Sequence, residues 1–323
     1  MPSTTPFTPS RPLGSTGLLV SPLCLGGNVF GWTADRDQSF EVLDAYVAAG
    51  GNFIDTSDVY SEWVPGNTGG DSERILGEWL TARGNRADMI IATKVAKFSQ
   101  FRGLSPENIR SAADASLERL QTDYIDLYYA HEDDSAVPLA DSLGAFDELV
   151  KAGKVRHIAA SNFTPDRLAE SLAVSAENGL ASYIAVQNHY NLMERHAYED
   201  ATEAIVVQHG LSSLPYYSLA RGFLTGKYRP GVTIDSPRAK GAEAYIGERG
   251  DRVLTALEGI AARHHCPMGA VALAWLLTRP GITAPLASAR NLEQFAALLP
   301  MATITLSTHE LAELDVASSV GAS

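Results

Sequence analysis

A chain of 323 residues is long enough for two average domains or for one large barrel. With 45% hydrophobic and 20% charged residues it has the composition of an ordinary globular protein. A formal net charge of −13, with no Lys/Arg run, argues against a phosphate-binding surface for nucleic acid.

The opening MPSTTPFTPSRPLGSTG is polar and Pro-rich with no apolar stretch, so no signal peptide is expected. The next stretch, RPLGSTGLLVSPLCLG, carries turn signals between apolar pairs and reads as a small β-hairpin. Short β-rich runs follow at Leu23–Gly27, Asn52–Thr56, Met89–Val95, Tyr124–Ala130, Arg156–Ser161, Tyr183–Asn188, Ser213–Tyr217 and Ile282–Ala287. Helical spacing lies between them. In Ser105–Gln121 the residues Ile109, Ala112, Ala113, Leu117 and Leu120 form a stripe at three- and four-residue steps. Leu139–Lys151 ends at Gly153, as a helix with a glycine C-cap does. The segment Arg229 to Arg249 is long for a strand–helix connection and is expected to fold over the site as a lid. The most lipid-like run, Gly269 to Leu277, is about half the length needed to span a bilayer, so no membrane contact is expected. Cys24 and Cys266 are the only cysteines, which suits a reducing cytoplasm better than a stapled secreted scaffold.

Eight strands alternating with helices, most without polar alternation, predict an α/β fold of the (β/α)8 TIM-barrel type. The N-terminal hairpin would close the barrel bottom. No Pro/Ser-rich linker divides residues 1–323, so a single domain is expected. A doubly wound dinucleotide fold would need G-x-G-x-x-G after the first strand, and neither LCLGGNVFG nor NTGGDSE has that spacing.

In a barrel the C-terminal strand ends converge on one face, where barrel enzymes do their chemistry. Here the second strand, in FIDTSDVY, ends at Asp55 with Tyr60 in the following loop. The third carries Lys94, and the fourth ends at His131. Later strands end near Ser161 and Asn162, Gln187 and Asn188, Tyr216 and Ser288. Taken singly, a Lys at a strand end is usually solvated, a His usually structural, and a loop Tyr usually half-buried packing. Four ionisable types on three consecutive strand ends would burden a core unless they satisfied one another around a cavity.

The chain resembles the aldo-keto reductases over roughly residues 11 to 317, in the branch related to potassium-channel β subunits. The resemblance rests on FIDTSDVYS, GGDSERILGEWL, IATKV, DYIDLYYAH, VRHIAASNF, VQNHYNLMER, YYSLARGFLTGKY and LASARNLEQ, in that order. It implies a (β/α)8 barrel that binds NADP(H) without a Rossmann domain, and a catalytic tetrad of Asp55, Tyr60, Lys94 and His131. The expected activity is reduction of an aldehyde or ketone to the alcohol by hydride transfer, with Tyr60 as proton donor. A phenol with an ordinary pKa near ~10 is a poor acid at neutral pH. An ammonium about 4 Å away contributes roughly 4 kcal/mol at an effective dielectric of ~20, while burial acts in the opposite sense. Lys94 is therefore expected to win over burial and lower the Tyr60 pKa, with Asp55 holding the lysine. His131 would orient the carbonyl.

The same resemblance assigns Tyr216 to stack under the nicotinamide and Ser161, Asn162 and Gln187 to grip its carboxamide. Gly27 and Asn28 fall beside its ribose, and Asp55 is also among the cofactor contacts; Leu219, Arg221, Gly222 and Lys227 form the pyrophosphate cradle; Ser288, Arg290 and Gln294 lie at the adenosine end. Arg290 offers a planar fork suited to a 2′-phosphate, which favours NADPH over NADH. Three positions depart from the family. Tyr216-Tyr217-Ser218-Leu219 stands for Y-S-P-L, Ser288 for a common Gly, and Leu298 for a common Asn.

Trp32 and Trp63 are candidate substrate walls beside Tyr60 and His131, with Glu132, Asp133 and Asp134 following the histidine. Aromatic walls with nearby acids suit a small polyhydroxylated carbonyl such as a sugar aldehyde. No metal is expected, because His264-His265 and Glu132-Asp133 are not spread over several strand ends. The competing reading is a cofactor-binding regulatory or sensor subunit. The residues leave the oligomeric state open.

Overall fold

The computed structural model describes residue 7, residues 11–235 and residues 239–319. Most of the Pro-rich opening (1–6 and 8–10), residues 236–238 of the expected lid and residues 320–323 lie outside them. The predicted hairpin is present as β1 (Arg11–Pro12) paired antiparallel with β2 (Leu19–Val20). The barrel strands are β3 (Cys24–Gly26), β4 (Phe53–Asp55), β5 (Ile90–Val95), β6 (Ile125–Ala130), β7 (Val155–Ser161), β8 (Tyr183–Gln187), β9 (Ser212–Ser213) and β10 (Leu286–Ala287). They form one parallel sheet in the order β10-β3-β4-β5-β6-β7-β8-β9.

The sheet closes on itself between its two ends. Ser213 N–H donates to Gly281 O (2.8 Å), Thr283 N–H to Ser213 O (2.9 Å) and Leu286 N–H to Pro215 O (2.8 Å). The last two strands are shorter than the predicted Ser213–Tyr217 and Ile282–Ala287. Pro215 and Pro285 have no N–H to give the ladder, so the pairing continues there as single bonds.

Helices α1 (Arg36–Ala48), α2 (Asp71–Arg83), α3 (Pro106–Leu120), α4 (Leu139–Lys151) and α5 (Pro165–Asn178) follow the first five barrel strands in turn. Then come α6 (His196–Glu199), α7 (Thr202–His209), α8 (Ala239–Glu243), α9 (Glu248–His264), α10 (Met268–Leu277), α11 (Leu292–Ala296) and α12 (Thr308–Ser318). Their ends are set by local chemistry. The Ser105 side chain caps α3 ahead of Pro106, and Thr164 does the same for α5 ahead of Pro165. The α4 helix has the predicted bounds, and Gly153 just beyond it has φ 74°, a left-handed turn that suits glycine. The apolar run 269–277 belongs to α10, whose residues Gly269 to Leu276 are all buried. Among the described residues no helix is long and apolar enough to cross a membrane. Cys24 and Cys266 are both free thiols.

Strand alternation sorts the side chains into layers. Leu13 and Val20 of the hairpin pack with Cys24, Phe53, Ile90, Ala92, Leu127, Tyr129, Ala159, Ala185, Leu214, Ala284 and Leu286 inside the barrel. The hairpin thus plugs the N-terminal end, and Gly14 N–H donates to Ser212 Oγ there (2.7 Å). Two residues beyond Phe53, Ala92, Tyr129, Ala159, Ala185 and Leu214 come Asp55, Lys94, His131, Ser161, Gln187 and Tyr216. The polar layer therefore sits directly above an apolar floor.

Candidate active site

Lys94 is fully buried and Asp55 nearly so. The Lys94 Nζ donates to Asp55 Oδ2 (2.6 Å), to Thr56 O (2.7 Å) and to the Tyr60 hydroxyl (3.0 Å). Tyr60 in turn donates to Asp55 Oδ2 (3.2 Å). Gln187 Nε2 donates to the other carboxylate oxygen of Asp55 (2.8 Å), so that group is held from both sides. His131 stands across from Tyr60, ring centroids 6.3 Å apart, and its Nδ1 lies 3.3 Å from Ser57 Oγ. All four tetrad residues expected from the resemblance meet at one point of the barrel mouth.

The electrostatics differ from expectation at Tyr60. Burial raises its phenol well above the ordinary tyrosine value, and the Asp55 carboxylate raises it further. Lys94 does not win, because its charge is spent on Asp55 and on Thr56 O; the phenol faces a nearly neutral pair. Tyr60 therefore keeps its proton at neutral pH. Burial also drives the His131 pKa well below the usual value, helped by Lys94 and Lys97, so the imidazole is neutral. Behind it the buried Asp58 is pushed up to about 8, chiefly by burial and then by Glu73.

The tetrad opens into a cavity of about 680 Å³. Its wall includes Asn28, Asp55, Tyr60, Trp63, His131, Ser161, Asn162, Gln187 and Tyr216 at one end. Leu219, Arg221, Gly222, Lys227, Ser288 and Gln294 also line it. Asn162, at φ 58°, donates to His131 O (2.8 Å) and to Ser161 Oγ (2.9 Å), and accepts from the Tyr216 hydroxyl (2.8 Å). The Tyr216 ring is stacked on His189 at 5.3 Å. Ser288 Oγ donates to Asn28 Oδ1 (2.6 Å), and a Cβ on Gly26 would come within 2.7 Å of that hydroxyl. Ala220, Arg221 and Gly222 all have positive φ, a turn made possible in part by glycine.

Three expected wall residues are elsewhere. Gly27 alternates with Gly26 along the chain, so Gly26 faces the cavity while Gly27 packs against Ser72. Arg290 lies outside the wall, its backbone N–H donating to Gln294 Oε1 (3.3 Å). Trp32 stands behind Trp63, edge-on at 5.4 Å. In the expected lid none of the described residues from 229 to 249 lines the cavity; Gly241 of α8 instead packs on Arg221.

The acids after His131 are turned away. Arg167 holds Asp133 through two bonds (2.8 and 3.0 Å), and Asp134 accepts from the backbone of Leu104 (2.9 Å) and Ala136 (3.1 Å). The cavity wall includes Lys97, Val59, Thr225 and Glu293 instead, which are among the residues that the sequence reading passed over. Strand alternation would send Lys97 outward, but Ala96 has φ 110° and reverses the direction. Tyr217, a departure from Y-S-P-L, also lines the wall, with the Arg221 guanidinium 4.0 Å over its ring. Leu298 lines it too and is buried. His264 is paired with Glu310 (3.1 Å), and among the described residues no cluster of three or more His, Cys, Asp or Glu could hold a metal.

Residues 22–319 match the family model described as the aldo/keto reductase family. The chain is 32% identical to Protein tas of Escherichia coli (strain K12), over 94% of this chain and 96% of that protein. It is 32% identical to the uncharacterized oxidoreductase YrpG of Bacillus subtilis (strain 168), over 91% of each. It is 31% identical to the norsolorinic acid reductase stcV of Emericella nidulans, over 93% of this chain and 78% of the relative.

Proposed function

Because the chain belongs to the aldo/keto reductase family of oxidoreductases, we propose that it reduces an aldehyde or ketone to the alcohol with NADP(H), Tyr60 giving the proton. The observation that carries this reading is the buried Lys94 ammonium in contact with both Asp55 and Tyr60, which line the cavity. The name of the stcV relative supports reduction as the direction. All the groups involved belong to one barrel, in keeping with a single working domain.

The cavity residues fit the dinucleotide that this family uses. Ser161, Asn162 and Gln187 offer hydroxyl and amide groups beside the Tyr216 ring, as a flat ring with a carboxamide requires. Arg221 and Lys227 supply two cations around the Gly222 turn, as a pyrophosphate requires. Asn28 and Ser288, joined by a hydrogen bond, suit the ribose side. Support for NADP(H) over NADH comes from Arg290, partly buried beside Gln294; Glu293 in the wall opposes it. Tighter binding of NADH in a fluorescence titration would reverse that preference.

The bound nicotinamide would supply the hydride. Tyr60 then donates its proton to the substrate oxygen, which becomes an alkoxide about as basic as hydroxide, the conjugate base of water with its pKa of ~15.7. That transfer runs downhill even from a phenol whose pKa is raised. Lys94, 3.0 Å away, donates a hydrogen bond to the phenolate left behind and offsets the repulsion from Asp55 at 3.2 Å. Gln187 keeps Asp55 from rotating off the lysine. His131 orients the carbonyl through its Nε2 proton. For Tyr60→Phe we expect kcat to fall roughly 10²- to 10⁴-fold while NADPH affinity stays within about twofold. NADPH consumption with a panel of aldehydes and ketones measures the first and fluorescence titration the second. Full turnover in that variant removes Tyr60 from the mechanism; no turnover in the native chain favours a regulatory subunit. With Asp133 and Asp134 engaged elsewhere, a sugar aldehyde keeps only Trp63 and general hydrogen bonding in its support.

A further inference from the structure

We propose that Lys97 recognises an anionic group on the substrate, so that the preferred substrates are aryl aldehydes or ketones bearing a carboxylate. The proposal rests on the carbonyl-reductase reading of the same cavity. Lys97 shares the wall with Tyr60, His131 and Trp63, turned inward by the positive φ of Ala96. It is partly buried, and that burial pushes its ammonium below the usual lysine value, with Glu132 acting against the shift and Lys94 adding to it. A cation short of solvent gains from an anion beside it.

The chain itself supplies little compensation. The one carboxylate partner of Lys97 among the described residues, Glu132, forms an ion pair with its Nζ at 3.8 Å, beyond hydrogen-bond distance, and stands outside the wall, so the pair leaves the ammonium open to a closer anion from the cavity side. Asp55 is neutralised by Lys94 at 2.6 Å. The other wall carboxylate, Glu293, belongs to the stretch around Gln294 that would meet the adenosine. At the reaction end the wall itself therefore presents the Lys97 ammonium with its Glu132 partner set outside that wall, in a protein of net charge −13.

The neighbouring surface is aromatic. Trp63 lines the cavity, is 50% exposed, and is braced edge-on by Trp32 at 5.4 Å and by Tyr60 at 6.4 Å. A flat ring carrying its carbonyl toward Tyr60 and a carboxylate toward Lys97 would satisfy both features.

The test compares kcat/KM for benzaldehyde, 4-carboxybenzaldehyde and 4-(trimethylammonio)benzaldehyde with NADPH at low and high salt. We expect the carboxylate to be preferred roughly 10-fold or more, mainly through KM, with the margin shrinking in high salt. Lys97→Met should abolish the preference, Lys97→Glu should turn it toward the ammonium, and Glu132→Gln should widen it. An unchanged preference in Lys97→Met overturns the proposal. A readout independent of turnover is tryptophan quenching by terephthalate or benzamide in the NADP+-loaded protein. Terephthalate binding weakened roughly 10-fold by Lys97→Met supports the proposal, and unchanged binding overturns it. If no aldehyde is reduced but terephthalate binding depends on Lys97, the reductase reading fails and the anion site stands.

Discussion

Ser57 holds one hydroxyl proton between two acceptors, Asp58 Oδ1 at 3.1 Å and His131 Nδ1 at 3.3 Å. Which acceptor receives it decides which nitrogen of His131 carries the ring proton. With a pKa of about 8, Asp58 is a neutral acid at neutral pH and a weaker acceptor than imidazole. We expect Ser57 then to donate to Nδ1, which leaves Nε2–H for a carbonyl. Above pH 8 the Asp58 carboxylate is expected to accept the Ser57 hydrogen bond and the tautomer to invert. Besides Ser57, the groups acting on Asp58 are Glu73 of α2, Arg119 of α3 and the Val59 backbone N–H, and Asp58 in turn raises the Tyr128 phenol of β6. Nitrogen-15 NMR of His131 should show the Nε2–H form at pH 7 and the Nδ1–H form near pH 9.5. In Ser57→Ala that change should be absent; a single tautomer throughout in the native chain would refute the linkage. The same acid bears on stability. Its folded pKa lies above the unfolded value of ~3.9, so the folded state binds the extra proton and stability falls as pH rises from ~4 to about 8. Asp58→Asn should flatten the decline between pH 5 and 7.5 by the order of 1–3 kcal/mol, read as a smaller difference in Tm.

At the scale of elements, α12 shows how a short helix is held. Ser307 and Glu310 form a capping box, and Glu310 also accepts from Arg263 Nε (3.1 Å) and His264 Nε2 (3.1 Å) on α9. Against the upward pull of burial, the Ser307 backbone, His264 and Arg263 hold its carboxyl at about 2. This lowered pKa gives stability that is present above pH ~4.5 and lost as pH falls toward 2. Glu310→Gln should cost about 1–3 kcal/mol at pH 7 and raise amide exchange across α12 first. Protection in α12 equal to the native level would show that the contact carries no weight. The bounds of α3 and α4 were legible in sequence, since Ser105-Pro106 and Gly153 mark them locally. The short β9 and β10 were harder to read, because their pairing depends on neighbours far along the chain.

For the whole molecule, closure is the governing fact. The hairpin buries Leu13 and Val20 fully in the barrel floor, and the polar mouth stands on that floor. Leu13→Ala should cost about 2–5 kcal/mol in unfolding free energy by denaturant titration, while NADPH affinity at the opposite end stays the same. A loss of affinity matching the loss of stability would mean that floor and mouth are coupled. From the linear chain alone came the eight-strand alternation and the ionisable groups Asp55, Lys94 and His131 at strand ends with Tyr60 in a following loop, because strand period places them, while the grouping of these four and most of the wall came from the resemblance to the family. Tertiary structure decided what pattern could not. The backbone turn at Ala96 brings Lys97 inward, alternation takes Gly27 out, and Arg167 claims Asp133. It also set the direction of the Tyr60 pKa, because proton affinity depends on solvent removed and charges already spent, and both exist only once the barrel has closed.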